Sequence, residues 1–303
     1  MTATTTPGRR RTLRGRFGDL GPALIFILPA SIGFVAFFLA PSLAGIWYSF
    51  TDYALFGPVN FIGIENYVKL VQDPLFWNAL VVTVKYVVIN IGVQTVLAVG
   101  IAVLMHRLTR SLVIRGIILL PYLVANVVVA LLWFWIFDYS SGIVNQLLQA
   151  VGIHPLAFFG DEALAIPTIA LVNVWRFAGY TALLIFAGLQ TIPGEYYEAA
   201  ALDGASEFRM FRSITLPLLR PVLALVLVIS IVGSFQIFDT VAVTVQGGPV
   251  NSTRVIYYYI YELAFERYHF GYASAIAVVL LVILAGVSAL QLRLLRASSS
   301  DLA

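Results

Sequence analysis

The sequence predicts an all-α, polytopic membrane protein with six transmembrane helices. Hydrophobic residues occupy 60% of the 303 positions and charged residues only 11%, against the roughly 25% charged residues of typical soluble domains. A helix needs about 20 apolar residues to cross the hydrocarbon core, and six segments meet this requirement. Because lipid offers no hydrogen-bond partners, only helices or closed barrels span it, and no alternating pattern indicates a barrel. The predicted spans are 22–48, 79–105, 113–137, 165–190, 219–243 and 271–292.

The first span has to be distinguished from a secretory signal peptide. Its apolar run is much longer than the roughly 7–15 residues of a signal peptide, and Pro41 follows Ala40 where a cleavage site would be sought. We therefore expect an uncleaved membrane helix. The prolines inside the spans, Pro29, Pro121 and Pro221, are compatible with membrane helices because neighbouring groups satisfy the freed carbonyls.

The distribution of basic residues predicts the orientation of the spans. With a cytoplasmic N-terminus, the cytoplasmic segments carry 13 of the 18 basic residues and the outer loops carry three. The positive-inside rule then places both termini in the cytoplasm. The predicted parts of the chain are a basic tail at 1–20, a membrane domain at 21–296 and a short tail at 297–303. The cytoplasmic basic residues are Arg9, Arg10, Arg11, Arg14, Arg16, Arg107, Arg110, Arg115, Arg209, Arg212, Arg220, Arg293 and Arg296, and the outer ones are Lys69, Arg254 and Arg267.

The sequence argues against several classes of enzyme and cofactor site. Cysteine is absent, so disulfides and thiolate chemistry are excluded. A nucleotide-binding P-loop needs a lysine directly after a glycine, whereas the two lysines, Lys69 and Lys85, both follow valine. The three histidines, His106, His154 and His269, lack the spacing of metal ligands. We predict no catalytic residue, no metal site, no bound cofactor and no nucleic acid partner for this chain.

The polar segment between the fourth and fifth spans is the most informative feature of the sequence. It reads EAAALDGASEFRMFRSITLPLLRP from Glu198 to Pro221. A short helix is predicted at 195–202, beginning three residues before Glu198, and the acidic residues of its first turns complement the helix dipole. Asp203 and Gly204 follow where the chain must turn sharply, and glycine adopts a positive φ without steric cost.

A second helix is predicted at 206–215, after this turn. Phe208, Phe211 and Ile214 would lie along one side of it and pack on the membrane domain, and Pro217 would end it. The alternative is an ordinary amphipathic connector that lies in the membrane interface.

The pattern E-A-A-x-x-D-G-A resembles the signature loop of binding-protein-dependent ABC importer permeases, and the resemblance continues to Pro221. It implies the type I permease fold of that family, in which the loop docks onto a cytoplasmic ATPase subunit and couples ATP hydrolysis to transport. Within the coupling loop at 191–221, the resemblance assigns this role to Glu198, Ala199, Ala200, Asp203, Gly204, Ala205, Phe211, Leu216 and Pro217.

Two further segments resemble the carbohydrate branch of this family. They are 173–193 (NVWRFAGYTALLIFAGLQTIP) and 234–249 (SFQIFDTVAVTVQGGP), and the second is followed by Tyr261 and by 270–275. The resemblance then spans nearly the whole chain and is strongest to the maltose-type permeases. It implies the import of a sugar or oligosaccharide.

The resemblance also implies the partners. A second homologous permease subunit, two ATP-binding subunits and an extracytoplasmic solute-binding protein would assemble with this chain in the lipid of a bacterial plasma membrane. ATP and Mg²⁺ would be held by the ATP-binding subunits rather than by this chain. The outer loop at 50–78 is too small to be a substrate-binding domain, which favours a separate binding protein.

Polar side chains in the fourth and fifth spans are the candidate substrate-binding residues. Such groups are costly in lipid and usually face the interior of a helix bundle. Sugars need hydrogen-bonding groups for their hydroxyls and aromatic faces for their C–H surfaces. The candidates in the fourth span share one helical face, with spacing i, i+3, i+4, i+7, and by resemblance the maltose permease binds sugar at matching positions. The candidates are Asn173, Arg176, Phe177 and Tyr180 in the fourth span and Ser230, Ser234 and Gln236 in the fifth.

Alternatives remain for these side chains and for the whole chain. One alternative for the side chains is that they hold helices together, with Arg176 paired to Asp239 in a buried ion pair. For the whole chain, one alternative is the import of another solute, such as glycerol phosphate, by the same architecture. The others are an ion-coupled secondary carrier and a membrane-embedded enzyme. A secondary carrier predicts inverted repeats with broken helices at the midplane and leaves the coupling loop unexplained.

Overall fold

The computed structural model describes residues 20–108 and 111–296, and these residues form helices joined by loops. Arg110 and the two predicted tails, apart from Leu20, lie outside the described residues. Within the described residues, the β-structure is an isolated bridge between Thr51 and Phe61. The helices are α1 (Leu20–Phe34, continued by a π turn at Val35–Leu39 and by Ala40–Tyr48), α2 (Glu65–Gln72), α3 (Pro74–Leu108), α4 (Leu112–Leu123), α5 (Asn126–Ile136), α6 (Ile143–Ala150), α7 (Ala165–Leu189), α8 (Glu195–Leu202), α9 (Glu207–Met210, a π turn at Phe211–Thr215, and Leu216–Leu218), α10 (Arg220–Phe235), α11 (Asp239–Thr244), α12 (Ile256–Tyr261, with a π turn at Glu262–Glu266) and α13 (Phe270–Arg296).

The number of membrane spans agrees with the sequence prediction. Among the described residues, five helical segments are long and apolar enough to cross a membrane, and the number is six when the bent pair α4–α5 is taken as one span. The second span is longer than predicted, since α3 covers 35 residues from Pro74. Proline is tolerated at the first helical position because its missing N–H needs no partner there. The fifth span consists of α10 and α11, with a short irregular stretch at 236–238.

Helices α3 and α7 form the centre of the bundle. They pack against each other over much of their length, and Ala98, Ala102 and Ala182 between them have no exposed surface. Membrane helices rely on such close packing because lipid is as apolar as their own side chains. The pair forms the wall against which α4, α5 and α10 lie, whereas α13 packs on α10 and the end of α1 packs on α13.

The two ends of the bundle are distinguished by the segments that connect the spans. At the end that we call the loop end, α8 and α9 lie between α7 and α10, and Glu207 of α9 forms an ion pair of 2.5 Å with Arg107 of α3. The opposite end, called the far end, carries the segments 49–73, 137–164 and 245–269.

The third predicted span is broken rather than continuous. Its halves α4 and α5 meet at 88°, and the two residues between them, Val124 and Ala125, have extended ψ angles of 139° and 136°. Pro121 in the last turn of α4 removes a backbone donor. Arg176 of α7 donates to the carbonyl of Val124, one of the two extended residues at the break, at 3.2 Å. The break is therefore stabilised by a side chain that is distant along the chain.

Side-chain hydrogen bonds join the segments of the far end to one another. The hydroxyls of Tyr259 and Tyr272 donate to Asp73 at 2.5 and 2.7 Å, and Glu262 accepts from both Arg254 and Arg267. Burial raises the pKa of Asp73, but the two tyrosine hydroxyls outweigh it and hold that pKa below its usual value. These contacts fix the start of α3 to α12 and α13.

Candidate functional site

A cavity of about 430 Å³ lies in the middle of the bundle, within the range of about 300–1,000 Å³ that is usual for ligand sites. Helices α3, α4, α5, α7, α10 and α11 form its walls. All seven candidate residues of the fourth and fifth spans line it. Its lining consists of Tyr86, Asn90, Gln94, Tyr122, Asn126, Asn173, Arg176, Phe177, Tyr180, Thr181, Leu184, Ile229, Ser230, Gly233, Ser234, Gln236, Ile237, Phe238 and Asp239.

Aromatic rings form one wall of this cavity. Tyr122 of α4 and Tyr180 of α7 are stacked, with ring centroids 4.4 Å apart and planes 13° apart. Phe177 meets Tyr122 edge-on at 5.7 Å. The predicted face of α7 is thus extended by a ring from the broken third span, and all three rings line the cavity.

The alternative in which Arg176 pairs with Asp239 is not what the structure shows. Its guanidinium donates to the carbonyls of Val124 and Tyr122 and lies over the Phe177 ring at 4.8 Å. Asp239 instead accepts a hydrogen bond of 2.8 Å from Asn126. The break in the third span explains the difference, because it presents free carbonyls to Arg176.

Asn173 and Ser234 serve both as cavity lining and as links between helices. Asn173 is only 3% exposed, and its amide donates to the Ile169 carbonyl at 3.0 Å and to Thr240 at 3.4 Å. Ser234 accepts from the Asn90 amide at 2.9 Å. Both interpretations therefore hold for Asn173 and Ser234: each lines the cavity, and each also joins two helices through a hydrogen bond.

The sequence analysis missed the contribution of α3 to the cavity. Tyr86, Asn90 and Gln94 lie four residues apart along one face of that helix, and the Gln94 amide donates to Thr181 at 2.8 Å. The Asn90 side-chain oxygen is buried and accepts no hydrogen bond from the described residues. Polar residues at spacing i, i+4, i+8 in an otherwise apolar span were the available signal.

A second cavity, of about 330 Å³, lies at the far end. Among the described residues, five aromatic rings and one charged group, Asp138, belong to its lining. Hydrogen bonds from Ser141 and Ser140 lower the pKa of Asp138 to about 2. The central cavity has many more amide and hydroxyl groups and lies between the spans. We therefore take the central cavity as the candidate substrate site.

The turn between α8 and α9 is closed by two backbone hydrogen bonds. Ala205 donates to the Ala200 carbonyl at 2.9 Å, and Gly204 donates to Ala201 at 3.0 Å, which is the Schellman pattern of helix ends. Gly204 has φ +73°, as the sequence predicts for this turn. The predicted first helix at 195–202 is also confirmed.

The second helix of the loop differs from its prediction. Phe211 and Ile214 are half-buried, but Phe208 is 72% exposed, because Met210 and Thr215 occupy the buried side instead. Pro217 does not end the helix. The π turn before it widens the backbone, and the helical path continues into α10 through hydrogen bonds such as Leu219 N–H to the Thr215 carbonyl.

The loop is fastened to the bundle but exposes a surface of its own. Tyr197 of α8 and Thr215 of α9 share a hydrogen bond of 2.9 Å, which joins its two halves. Leu202 is 91% exposed. Leu202 was not among the residues predicted to act in coupling. Of those nine residues, five are exposed and four are half-buried: exposed are Glu198, Ala199, Asp203, Gly204 and Leu216, and half-buried are Ala200, Ala205, Phe211 and Pro217.

Residues 94–298 match the family described as binding-protein-dependent transport system inner membrane component. This match covers more than half of the chain, including α4 to α13. The chain belongs to this family. The predicted resemblance is confirmed, and this inner membrane component is a multi-pass membrane protein.

Two relatives and one solved structure illustrate the similarity of this family member. The probable ABC transporter permease protein YurN of Bacillus subtilis is 35% identical over 91% of this chain and 97% of its own length. The trehalose/maltose transport system permease protein MalF of Thermococcus litoralis is 33% identical over 93% of this chain and 95% of its own length. The structure of a bacterial ABC transporter involved in the import of the acidic polysaccharide alginate matches with a TM-score of 0.82 at 24% identity, over 94% of this chain and 98% of that chain, which shows the predicted importer permease fold.

Proposed function

We propose that this permease forms part of the translocation path of an ATP-driven importer for an uncharged sugar or oligosaccharide. The observation that carries the proposal is the central cavity of about 430 Å³, which combines stacked aromatic rings with amide and hydroxyl groups. The name of the trehalose/maltose relative supports the same substrate class.

The chemistry of the cavity suits a sugar in two ways. Tyr122, Phe177 and Tyr180 offer ring faces to the apolar C–H surfaces of a pyranose. The buried Asn90 oxygen, which accepts no hydrogen bond from the described residues, is available to a hydroxyl. A hydroxyl that donates to it would relieve the cost of about 1–3 kcal/mol that an unsatisfied buried polar group carries.

The charges of the cavity argue against an anionic solute such as glycerol phosphate. Among the described residues, the charged groups in its lining are Arg176 and Asp239, which have opposite signs. Each is already bonded within the protein, Arg176 to the carbonyls of the third-span break and Asp239 to Asn126. The lining thus carries no net charge to balance a phosphate.

The coupling loop is proposed to dock onto one of two cytoplasmic ATP-binding subunits, which hold ATP and Mg²⁺. Leu202 and Phe208 project from the loop as exposed apolar groups, and Glu198 and Asp203 add exposed carboxylates. Apolar anchors beside charges are the composition expected of a docking surface. A second homologous permease and an extracytoplasmic binding protein complete the proposed assembly.

The proposed orientation places both termini and the loop end in the cytoplasm of a bacterial cell. We expect a reporter that is active only outside the cytoplasmic membrane to be active when fused near positions 60, 155 and 255 and inactive near 205. Immunoblots of each fusion provide the control for expression. Activity from the fusion near 205 contradicts this orientation.

The proposed function is tested by purifying the chain with its co-encoded partners in lipid nanodiscs. ATP hydrolysis is then measured with the binding protein and a panel of neutral sugars, acidic sugars and glycerol phosphate. We expect stimulation by a neutral sugar or oligosaccharide. Stimulation by glycerol phosphate alone contradicts the proposed substrate class, and no assembly with ATP-binding subunits contradicts the importer itself.

Alanine substitution of Asn173, Tyr180 or Ser234 is expected to weaken sugar uptake severalfold without abolishing it. A hydrogen bond to an uncharged group contributes about 0.5–1.5 kcal/mol, which corresponds to roughly 2- to 10-fold in affinity. Uptake kinetics at several sugar concentrations measure the change, and ATP hydrolysis driven by the liganded binding protein should largely persist because the coupling loop is untouched.

The control for these variants is Ser288→Ala, which replaces a half-buried serine of α13 outside the cavity lining. Thermal unfolding separates substrate contact from helix packing, since Asn173 and Ser234 also join helices. Unchanged uptake kinetics in all three cavity variants contradict the assignment of the cavity. A loss that follows thermal stability alone assigns the residues to packing.

A further inference from the structure

Helix α2, in the first far-end loop, presents three different surfaces around its axis. Asn66 and Leu70 are buried, and the Asn66 amide donates to the carbonyls of Ser49 and Thr51 at 3.0 and 2.8 Å. This face holds the helix on the protein. The second face is charged and polar, and the third is apolar. The charged and polar face consists of Glu65, Lys69 and Gln72. The apolar face consists of Val68 and Val71 together with Ile64, the residue directly before the helix.

The apolar face of α2 is not covered by the chain. Ile64, Val68 and Val71 are 65%, 50% and 64% exposed. At about 100° per residue, they lie within about 60° of one another around the helix. Glu65, Lys69 and Gln72 cluster about a quarter turn away. A helix in water gains nothing from exposing three aliphatic side chains on one side, so this face needs a partner.

Two tryptophans connect this face to the membrane spans. Trp47, in the last turn of α1, stacks on Phe61 at 5.7 Å. Trp77, in the first turn of α3, donates its indole N–H to the carbonyl of Val71 at 2.9 Å. Both indoles are exposed, and tryptophan is enriched where a span meets the membrane–water interface. The exposed apolar face of α2 is therefore continuous with the exposed apolar surface at the adjoining ends of α1 and α3, where the two tryptophans lie.

We propose that α2 lies in the far-end membrane interface, with Ile64, Val68 and Val71 in contact with lipid. Its buried face rests on the protein. Its charged face borders α13, where the Lys69 ammonium lies over the Tyr272 ring at 4.5 Å, and otherwise points to lipid headgroups and water. This is the arrangement of an interfacial amphipathic helix. It makes this flank of the permease a lipid-facing one. The second permease subunit then packs elsewhere on the bundle, and the binding protein docks on other far-end segments.

The absence of cysteine from the chain allows a direct test by site-directed spin labelling. Single cysteines are introduced in turn at positions 64–72 of the full chain, which is purified with its partners and reconstituted in phosphatidylethanolamine/phosphatidylglycerol vesicles. Relaxation by oxygen reports contact with acyl chains, and relaxation by a water-soluble nickel chelate reports contact with water. Only labelled variants that retain the thermal stability of the unlabelled chain are compared.

We expect the oxygen-to-nickel accessibility ratio to be severalfold higher at 64, 68 and 71 than at 65, 69 and 72. Labels at 66 and 70 should be poorly accessible to both reagents. Equal ratios at the two sets of positions, or nickel accessibility that is highest at 68 and 71, overturn the proposal. Low oxygen accessibility at 68 and 71 in the reconstituted complex, or its loss when the binding protein is added, also overturns the proposal, because a protein then covers the face.

Discussion

Replacing Gly204 with valine is expected to abolish uptake by the assembled importer while the chain still reaches the membrane. Gly204 has φ +73°, where a β-branched side chain is a steric outlier and the left-handed conformation costs roughly 1–2 kcal/mol. The turn also provides the two hydrogen bonds that close α8. Valine therefore opens the turn and changes the angle between α8 and α9. Sugar uptake and ATP hydrolysis driven by the binding protein measure the effect.

Three further variants separate the shape of the turn from general damage to the loop. Gly194→Val is the matched control, since Gly194 has φ −59° and open space around its Cβ position. Gly204→Asn should retain most activity because asparagine tolerates the left-handed region. Glu198→Ala should also abolish uptake, since a charge pair buried on docking costs about 3–5 kcal/mol when one partner is removed. Wild-type uptake and ATPase assembly in Gly204→Val and Glu198→Ala contradict the coupling role.

Replacing Gly179 with valine is expected to cause the largest loss of folded protein. A Cβ at this position would lie 2.0 Å from the carbonyl oxygen of Ile118, so α4 would have to move away from α7. Overpacking costs about 1–3 kcal/mol of stability and occasionally more. We expect a cost at the upper end here, because the clashing atom belongs to the backbone of Ile118 and cannot rotate away as a side chain can. The contact also positions Tyr122 against Tyr180, so sugar binding should fall as well. Thermal unfolding followed by tryptophan fluorescence measures the change.

Gly92→Val in α3 is the control for this prediction. Gly92 lies inside a membrane-spanning helix like Gly179, but its Cβ would meet no atom within 4 Å. A β-branched residue there should therefore change the unfolding temperature little. Equal unfolding temperatures for the two variants would show that α4 does not pack directly on α7 at this position.

Much of the candidate site was predictable from spacing within single helices. The four candidates on α7 share a face because the helical period places i, i+3, i+4 and i+7 together, and all four line the cavity with the three candidates of the fifth span. The same argument applied to Asn90 and Gln94 would have found the wall formed by α3. Tyr122 and Asn126 had no comparable signal, because they flank a break that periodicity does not reveal.

Contacts between segments that are distant along the chain are what the sequence leaves open. An ion pair of Arg176 with Asp239 was one alternative that charge alone suggests. The structure gives Arg176 the carbonyls of the third-span break and gives Asp239 the Asn126 amide. Phe208 was placed on the packed side of its helix, but the π turn after Met210 changes the helical period and leaves Phe208 exposed.

The sequence by itself determined the six spans, the coupling loop and its turn at Gly204, because these depend on local properties. The length of an apolar run decides whether a helix crosses lipid, and glycine alone adopts a positive φ freely. The 88° break in the third span, the central cavity and the exposed face of α2 were decided only by the tertiary structure. Each depends on groups that meet across the bundle, as Arg176 meets the Val124 carbonyl, and the free energy of such contacts is not encoded in any one segment.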